Sequence, residues 1–168
     1  MSDREQLIVA EIPSLRRYAR ALTGDVGAAD DLVQDCLERA LGRRHLWKRR
    51  GSMRAWLFTI LHNLHANQIR QEARRPRLVP IEGADIGVVQ PQQDQAVRLR
   101  QFAEAIAQLP EEQRALILLI GLEGMTYSES AEILGIPIGT VMSRLSRARE
   151  RLRQLTVTTT VKDKVGEC

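Results

Sequence analysis

Apolar residues recur at helical intervals over two stretches of the chain, separated by a segment in which the rhythm is lost. In the first stretch Leu15, Tyr18, Ala19 and Leu22 share one side of a helix predicted over residues 13–23. Pro13 is acceptable in a first turn, where its missing N–H would have no helical partner, and Gly24 stops the helix. A second helix, about 28–42, draws its buried face from Ala29, Leu32, Val33, Cys36, Leu37, Ala40 and Leu41. Asp30 and Asp31 suit the positive end of its dipole, and Arg43 and Arg44 the negative end. Ser52 then caps a third helix over about 53–74, with Trp56, Leu57, Ile60, Leu61 and Leu64 as the core stripe. Three such helices can enclose a core, although about 75 residues bury proportionally little surface.

Residues 75–94 carry Pro76, Pro80, Gly83, Gly87 and Pro91 and no helical period, which predicts a flexible or extended linker. Periodicity returns at 95–107 with Val97, Leu99, Phe102, Ala103 and Ile106. Pro110, followed by Glu111 and Glu112, opens another helix whose apolar face is Leu116, Ile117, Leu119 and Ile120. Thr126 and Glu129 have the spacing of a capping box for a short helix ending at Gly135, and Pro137 begins a last helix running to about Leu155. The tail Thr156-Val-Thr-Thr-Thr160 is compatible with an extension of that helix, a local strand or a mobile end. The predicted fold is all-α: two small helical domains, residues 1–75 and 95–160, joined by a flexible linker at 76–94.

The last two helices have the order and tight connection of a helix-turn-helix. Val141, Leu145, Ala148 and Leu152 form one face of the final helix, leaving Thr140, Ser143, Arg144, Arg147 and Arg151 mainly outside. Such a face can enter a major groove, where Arg reads guanine edges or holds phosphates. A solvated charged helix is the alternative on spacing alone.

Charge supports the first of these. The net charge of the 168-residue chain is only +4, but seven Lys and Arg and no acid lie between Arg39 and Arg54. From Ala21 to Glu38 the sign reverses, with Asp25, Asp30, Asp31, Asp35 and Glu38 and no base. Arg144, Arg147, Arg149, Arg151 and Arg153 form a second basic series. Segregated basic patches favour a polyanion partner. Cys36 and Cys168 form no metal-type pair, no secretory signal opens the chain, and no apolar run approaches the ~20 residues of a membrane span. A cytoplasmic protein without structural disulfides is expected.

The motifs Tyr18-Ala-Arg-Ala-Leu-Thr-Gly24, Asp30-Asp-Leu-Val-Gln-Asp35 and Met53-Arg-Ala-Trp-Leu-Phe-Thr-Ile60 occur in the first half. Leu109-Pro-Glu-Glu-Gln-Arg114, Leu122-Glu-Gly-Met-Thr-Tyr127 and Gly139-Thr-Val-Met-Ser-Arg144 follow in the second. Over residues 10–155 the chain resembles the extracytoplasmic-function group of bacterial sigma-70 type RNA polymerase sigma factors. The resemblance implies a promoter-specificity factor and not an enzyme, with no cofactor. It would bind core RNA polymerase and promoter DNA, recognise −35 and −10 elements, and promote DNA opening. It also implies an anti-sigma partner packing against one or both domains.

By the same resemblance, Asp31, Leu32, Gln34 and Asp35 are candidates for docking on the polymerase, Leu32 being shared with the core. Arg49, Arg50, Ser52 and Arg54 would follow the −10 strand backbone, and Asn63 and Asn67 would address unstacked bases. Thr140, Ser143, Arg144, Arg147 and Arg151 would read the −35 element. Met142 stands where the family often has Lys, which removes a phosphate contact. Two other readings remain: a sigma-like decoy that sequesters an anti-sigma factor, and an ordinary helix-turn-helix repressor, which leaves the Asp-Leu-Val-Gln surface unexplained. His62 and His65 lie one helical turn apart, but no third ligand is evident, and a wet helix face is the expectation. No spacing suggests a catalytic triad or a phosphate loop.

Overall fold

A computed structural model describes residues 1–48, 51–74 and 93–165, with side chains at 93, 94 and 158–165 excepted. The described elements are α1 (Asp3–Thr23), α2 (Val26–Gly42), α3 (Met53–Ala73), α4 (Gln93–Ala107), α5 (Glu111–Ile117), a π turn (Leu118–Leu122), α6 (Tyr127–Leu134) and α7 (Ile138–Val165). The segment expected to link the halves lies outside the described residues as far as residue 92; Gln93 and Asp94 already belong to α4.

α1 starts ten residues before its expected position. Ser2 and Glu5 form a reciprocal capping box, satisfying donors at the helix N-terminus. Ile8 is buried one turn further on, so the chain gains from being helical well before Pro13. Pro13 therefore sits in the helix interior, on its exposed side. Gly24 ends α1 with φ 70°, a left-handed conformation that glycine adopts without strain. Asp25 and Ser52 cap α2 and α3 through their side chains. The capping box of α6 closes through Thr126 and Glu129, and Gly135 ends that helix at φ 65°.

α3 is the centre of the molecule. It packs on α1 and α2 on one side and on α6 on the other. Met53, Ala55, Leu57, Phe58 and Leu61 are buried, and Trp56, Ile60 and Leu64 pack partly buried against the same cluster. A helix apolar nearly all round is suited to burial on more than one side. Tyr18 meets Phe58 edge to face at 5.2 Å, joining α1 to α3. The core is therefore not confined to three N-terminal helices. One cluster runs from Ile8, Leu15 and Leu32 through Phe58 to Ile106, Leu109, Leu119, Met125 and Ile133. A smaller cluster of Leu116, Val141 and Leu145 belongs to the C-terminal helices.

Three further expectations change. Leu41 is 39% exposed, outside the face formed by Ala29, Leu32, Val33, Cys36 and Ala40. On α4, Val97, Leu99 and Phe102 remain about half exposed, and Ala105 and Ile106, with Leu109 just after the helix, carry the packing. Only the C-terminal end of α4 meets the core. The last helix continues to Val165, so the threonine-rich tail extends it, with the Thr156 hydroxyl bonded back to the Leu152 and Arg153 carbonyls.

Leu32 is fully buried and Asp35 exposed, on the same helix. Leu32→Ala is expected to cost about 2–5 kcal/mol in denaturant unfolding. Asp35→Ala should stay within about 0.5 kcal/mol of the parent chain.

Candidate nucleic-acid interface

The final helix acquires its two faces from the packing of its neighbours. α5 and α6 cover Val141 and Leu145, Ala148 is also buried, and the first turn of α7 follows α6 after Gly135. Opposite this stripe, Ser143, Arg147 and Arg151 are exposed at four-residue intervals, so they stand in a line one turn apart. Thr140 is half buried, and its carbonyl accepts the Ser143 hydroxyl at 3.2 Å. Arg144 is held to Glu112 of α5 at 3.4 Å, with 26% of its side chain exposed. Met142 and Ile138 are exposed on the same helix. All five residues expected on this face therefore lie on α7, and among the described residues Arg144 pairs with an acid of the same half.

On α2, Asp31, Gln34 and Asp35 are exposed, and Gln34 donates to Glu38 at 3.1 Å. Leu32 is not on this surface: at 0% exposure it faces the core. Its expected share in docking is corrected, since a side chain sealed between helices has no area to offer a partner. Asp35 and Glu38 line a shallow depression together with Arg39, Gly42, Arg43 and Leu64, so acidic and basic side chains meet there.

The third group is divided. Arg49 and Arg50 fall outside the described residues. Ser52 is the N-cap of α3, its hydroxyl accepting from the Ala55 N–H at 3.3 Å. Asn63 and Asn67 are exposed on one face of α3. Arg54 differs most from expectation. Its Nη1 donates to Glu11 at 3.1 Å and Ser14 at 3.2 Å, and its Nη2 to the Glu123 carboxylate at 2.7 Å and carbonyl at 2.8 Å. Its guanidinium also lies 5.4 Å from the Phe58 ring centre. A strand-facing Arg54 is thus not what this conformation presents; both ends of its guanidinium are occupied at a seam between the halves.

Glu123 is the centre of that seam. The π turn ends with the Glu123 N–H bonded to the Leu118 carbonyl, and Gly124 follows at φ 66°. This reversal delivers the carboxylate to α1 and α3, where Arg17 grips it through Nε at 3.0 Å and Nη2 at 2.9 Å. The Glu123 side chain is 0% exposed, against 51% for Arg17 and 29% for Arg54. A two-pronged guanidinium pairing offsets the desolvation of the acid, and bonding to Glu123 raises the Arg17 pKa from its ordinary value. Two more contacts cross the seam. His65 Nε2 meets Glu111 Oε1 at 2.5 Å. Arg114 closes the end of α4 through the Ile106, Ala107 and Leu109 carbonyls and reaches the Leu22 carbonyl of α1 at 3.2 Å.

The two histidines do not form the wet face expected of them. His65 is 7% exposed, and His62 has a buried Nδ1 without a hydrogen-bond partner among the described residues. Among the described residues there is no group of three metal-ligating side chains. Burial pushes the Cys36 thiol up to about 12, where it donates to the Leu57 carbonyl as an unreactive core group. Burial likewise raises the Tyr18 hydroxyl, with Glu111 and Glu123 adding to the effect. Sequence reasoning overlooked Arg17, Glu11, Glu111, Arg114 and Glu123. Glu111, Arg114 and Glu123 lie in the quoted motifs and Glu11 and Arg17 outside them, and no local spacing reports a pairing across 106 residues of chain.

Burial lowers the His62 pKa from 6.5, His65 acts in the same direction and Glu111 opposes both. An unfolded chain takes up this proton near pH 6.5 before the folded one does. The contribution is therefore complete above that pH and is lost as pH falls toward the folded value. His62→Gln should narrow the difference in urea midpoint between about pH 7.5 and about pH 5.5, measured against the parent chain.

Family models match both halves: "Sigma2 domain of PhyR" over residues 8–62 and "Sigma-70, region 4" over residues 99–152. The ECF RNA polymerase sigma factor EcfG of Rhodopseudomonas palustris is 38% identical over 153 residues, covering 88% of this chain and 82% of its own. The ECF RNA polymerase sigma factor SigC of Mycobacterium tuberculosis is 36% identical over 156 residues, covering 88% and 80%. Among solved structures, the sigma factor RpoE of Bartonella quintana, in complex with the anti-sigma factor NepR, matches with a TM-score of 0.75 at 35% identity. That match covers 92% of this chain and 97% of RpoE. Identity at this level over most of both lengths, together with the two domain models in their order, establishes that the chain belongs to the extracytoplasmic-function (ECF) RNA polymerase sigma factors.

Proposed function

We propose that this sigma factor binds core RNA polymerase, recognises −35 and −10 promoter elements through separate helical surfaces, and promotes opening of the DNA between them. Residues 1–75 and 95–160 act as the two domains, with 76–94 as the linker. The observation that carries the reading is the line of Ser143, Arg147 and Arg151 on α7, opposite a stripe buried by α5 and α6. A helix fixed from behind and polar in front can dock in a major groove, with Thr140 and Arg144 at its N-terminal end. Asp31, Gln34 and Asp35 supply an exposed acidic face for the polymerase. Ser52, Asn63 and Asn67, with Arg49, Arg50 and Arg54, line the −10 side. Asn side chains one turn apart can hold unstacked bases by hydrogen bonds, so opening needs no bond chemistry from this chain.

An anti-sigma protein is part of the proposal, because RpoE of Bartonella quintana is found in complex with one. A cytoplasmic location goes with transcription; among the described residues no helix is long and apolar enough to cross a membrane. One observation favours a second reading. The model matching the first half is named for PhyR, and Bartonella quintana PhyR is an anti-anti-sigma factor that shares the fold. A decoy has no need of a groove-facing helix, which places this reading second.

Abortive transcription by purified core polymerase on a promoter library separates the two. Promoter-dependent initiation that requires the chain is expected, and its absence supports the decoy. Arg144→Ala should cost about 1–3 kcal/mol at the −35 position it reads while binding to core polymerase is kept. Equal loss of both rejects that assignment. Asp35→Lys should weaken holoenzyme assembly with little change in thermal unfolding.

A further inference from the structure

We propose that Arg17 and Arg54 form a clamp for a DNA backbone phosphate, and that Glu123 fills this clamp as an internal phosphate mimic when the chain is closed. The inference rests on the promoter-binding reading and adds to it a residue, Arg17, and a competition. Three N–H groups from two guanidiniums converge on one carboxylate. Planar guanidinium forks suit phosphate as well as carboxylate, and Arg is the usual choice for both. All three donors come from α1 and α3, whereas the acid comes from the turn after the π segment of the other half. The site and its occupant thus belong to different halves, with a connecting segment between them.

Several features place a polyanion here once Glu123 leaves. Arg54 lies within the acid-free basic run from Arg39, and the exposed Arg16 neighbours Arg17 on α1. Glu11 and Ser14 hold the other end of the Arg54 guanidinium, which orients it without filling the position that Glu123 takes. In the proposed open state the halves part and the acid returns to water, so no buried charge is stranded. A strand phosphate then replaces the carboxylate at the same two residues, and closed chain and bound strand exclude each other.

The test uses the full chain with dyes on Arg70→Cys and Arg149→Cys, both exposed sites, in a Cys168→Ser background where Cys36 stays buried. Energy transfer reads the distance between halves, and a fluorescent single-stranded oligonucleotide reads binding. Glu123→Gln keeps shape but removes charge. It should open the chain and tighten oligonucleotide binding by roughly five- to tenfold. Arg17→Ala should also open the chain, yet bind more weakly than Glu123→Gln. The slope of log affinity against log salt should fall by about one phosphate contact. The double variant should lose the gain of Glu123→Gln. Arg17→Lys, which keeps the charge, should retain the salt slope. An unchanged distance in Glu123→Gln overturns the mimicry. Equal gains for Glu123→Gln and Arg17→Ala reduce the pair to a latch and overturn the clamp, and opening by inorganic phosphate alone overturns the assignment to a strand. Initiation by the unsubstituted chain with core polymerase is scored separately. Failure there removes the promoter reading, whereas initiation with the wrong pattern of variants removes only the clamp.

Discussion

A carboxylate removed from water has to be met by charge, and in this molecule the charge comes from the far half of the chain. Glu123 is enclosed by Arg17 and Arg54, and the positions of α5, α6 and α7 relative to α1 and α3 follow from that demand as well as from the shared apolar cluster. Breaking one partner of a buried pair commonly costs about 3–5 kcal/mol because the remaining charge is left without compensation. Arg17 is half exposed, which discounts that figure, but the Glu123 side chain is not exposed at all. The polar contacts at Glu111 and Arg114 accompany it, so the seam combines a shared apolar cluster with a buried ionic centre.

This arrangement connects structure to function through the α3 helix. α3 carries the exposed Asn63 and Asn67, contributes Arg54 to the seam and buries Leu57, Phe58 and Leu61 against α1 and α2. A single rigid element therefore bears the surface proposed for opened DNA and the surface on which the C-terminal half rests. The α7 face remains exposed in the same conformation, with Arg147 and Arg151 accessible. The two proposed DNA surfaces differ in their state: one is displayed, and the other shares its Arg54 with the seam.

Much of the local structure was legible because it depends on neighbours in sequence. Ser52, Thr126 with Glu129, Gly24 and Gly135 act as caps and stops within one turn of themselves, and the α7 stripe follows from the helical repeat. The start of α1 is legible too, in Ser2 and Glu5, ten residues before the position that Pro13 suggests. A proline lowers helix stability at one position; a closed capping box and the buried Ile8 outweigh it. In α3 the stripe from Trp56 to Leu64 accounts for one face, whereas Ala55 and Phe58 make the helix apolar on other sides as well. That excess was the sequence signal of a second packing partner.

The sequence by itself determined the helices, their polarity, the two-part order and, through its motifs, the family. Each of these is set by interactions over a few residues or by residue identity. Only the tertiary structure decided that the halves share a core, that Leu32 is sealed from any docking surface, and that the histidines of α3 are covered. It alone paired Glu123 with Arg17 and Arg54. The physical reason is range: caps and periods act within a turn or two, whereas desolvation and ion pairing depend on which surfaces meet after the chain has folded.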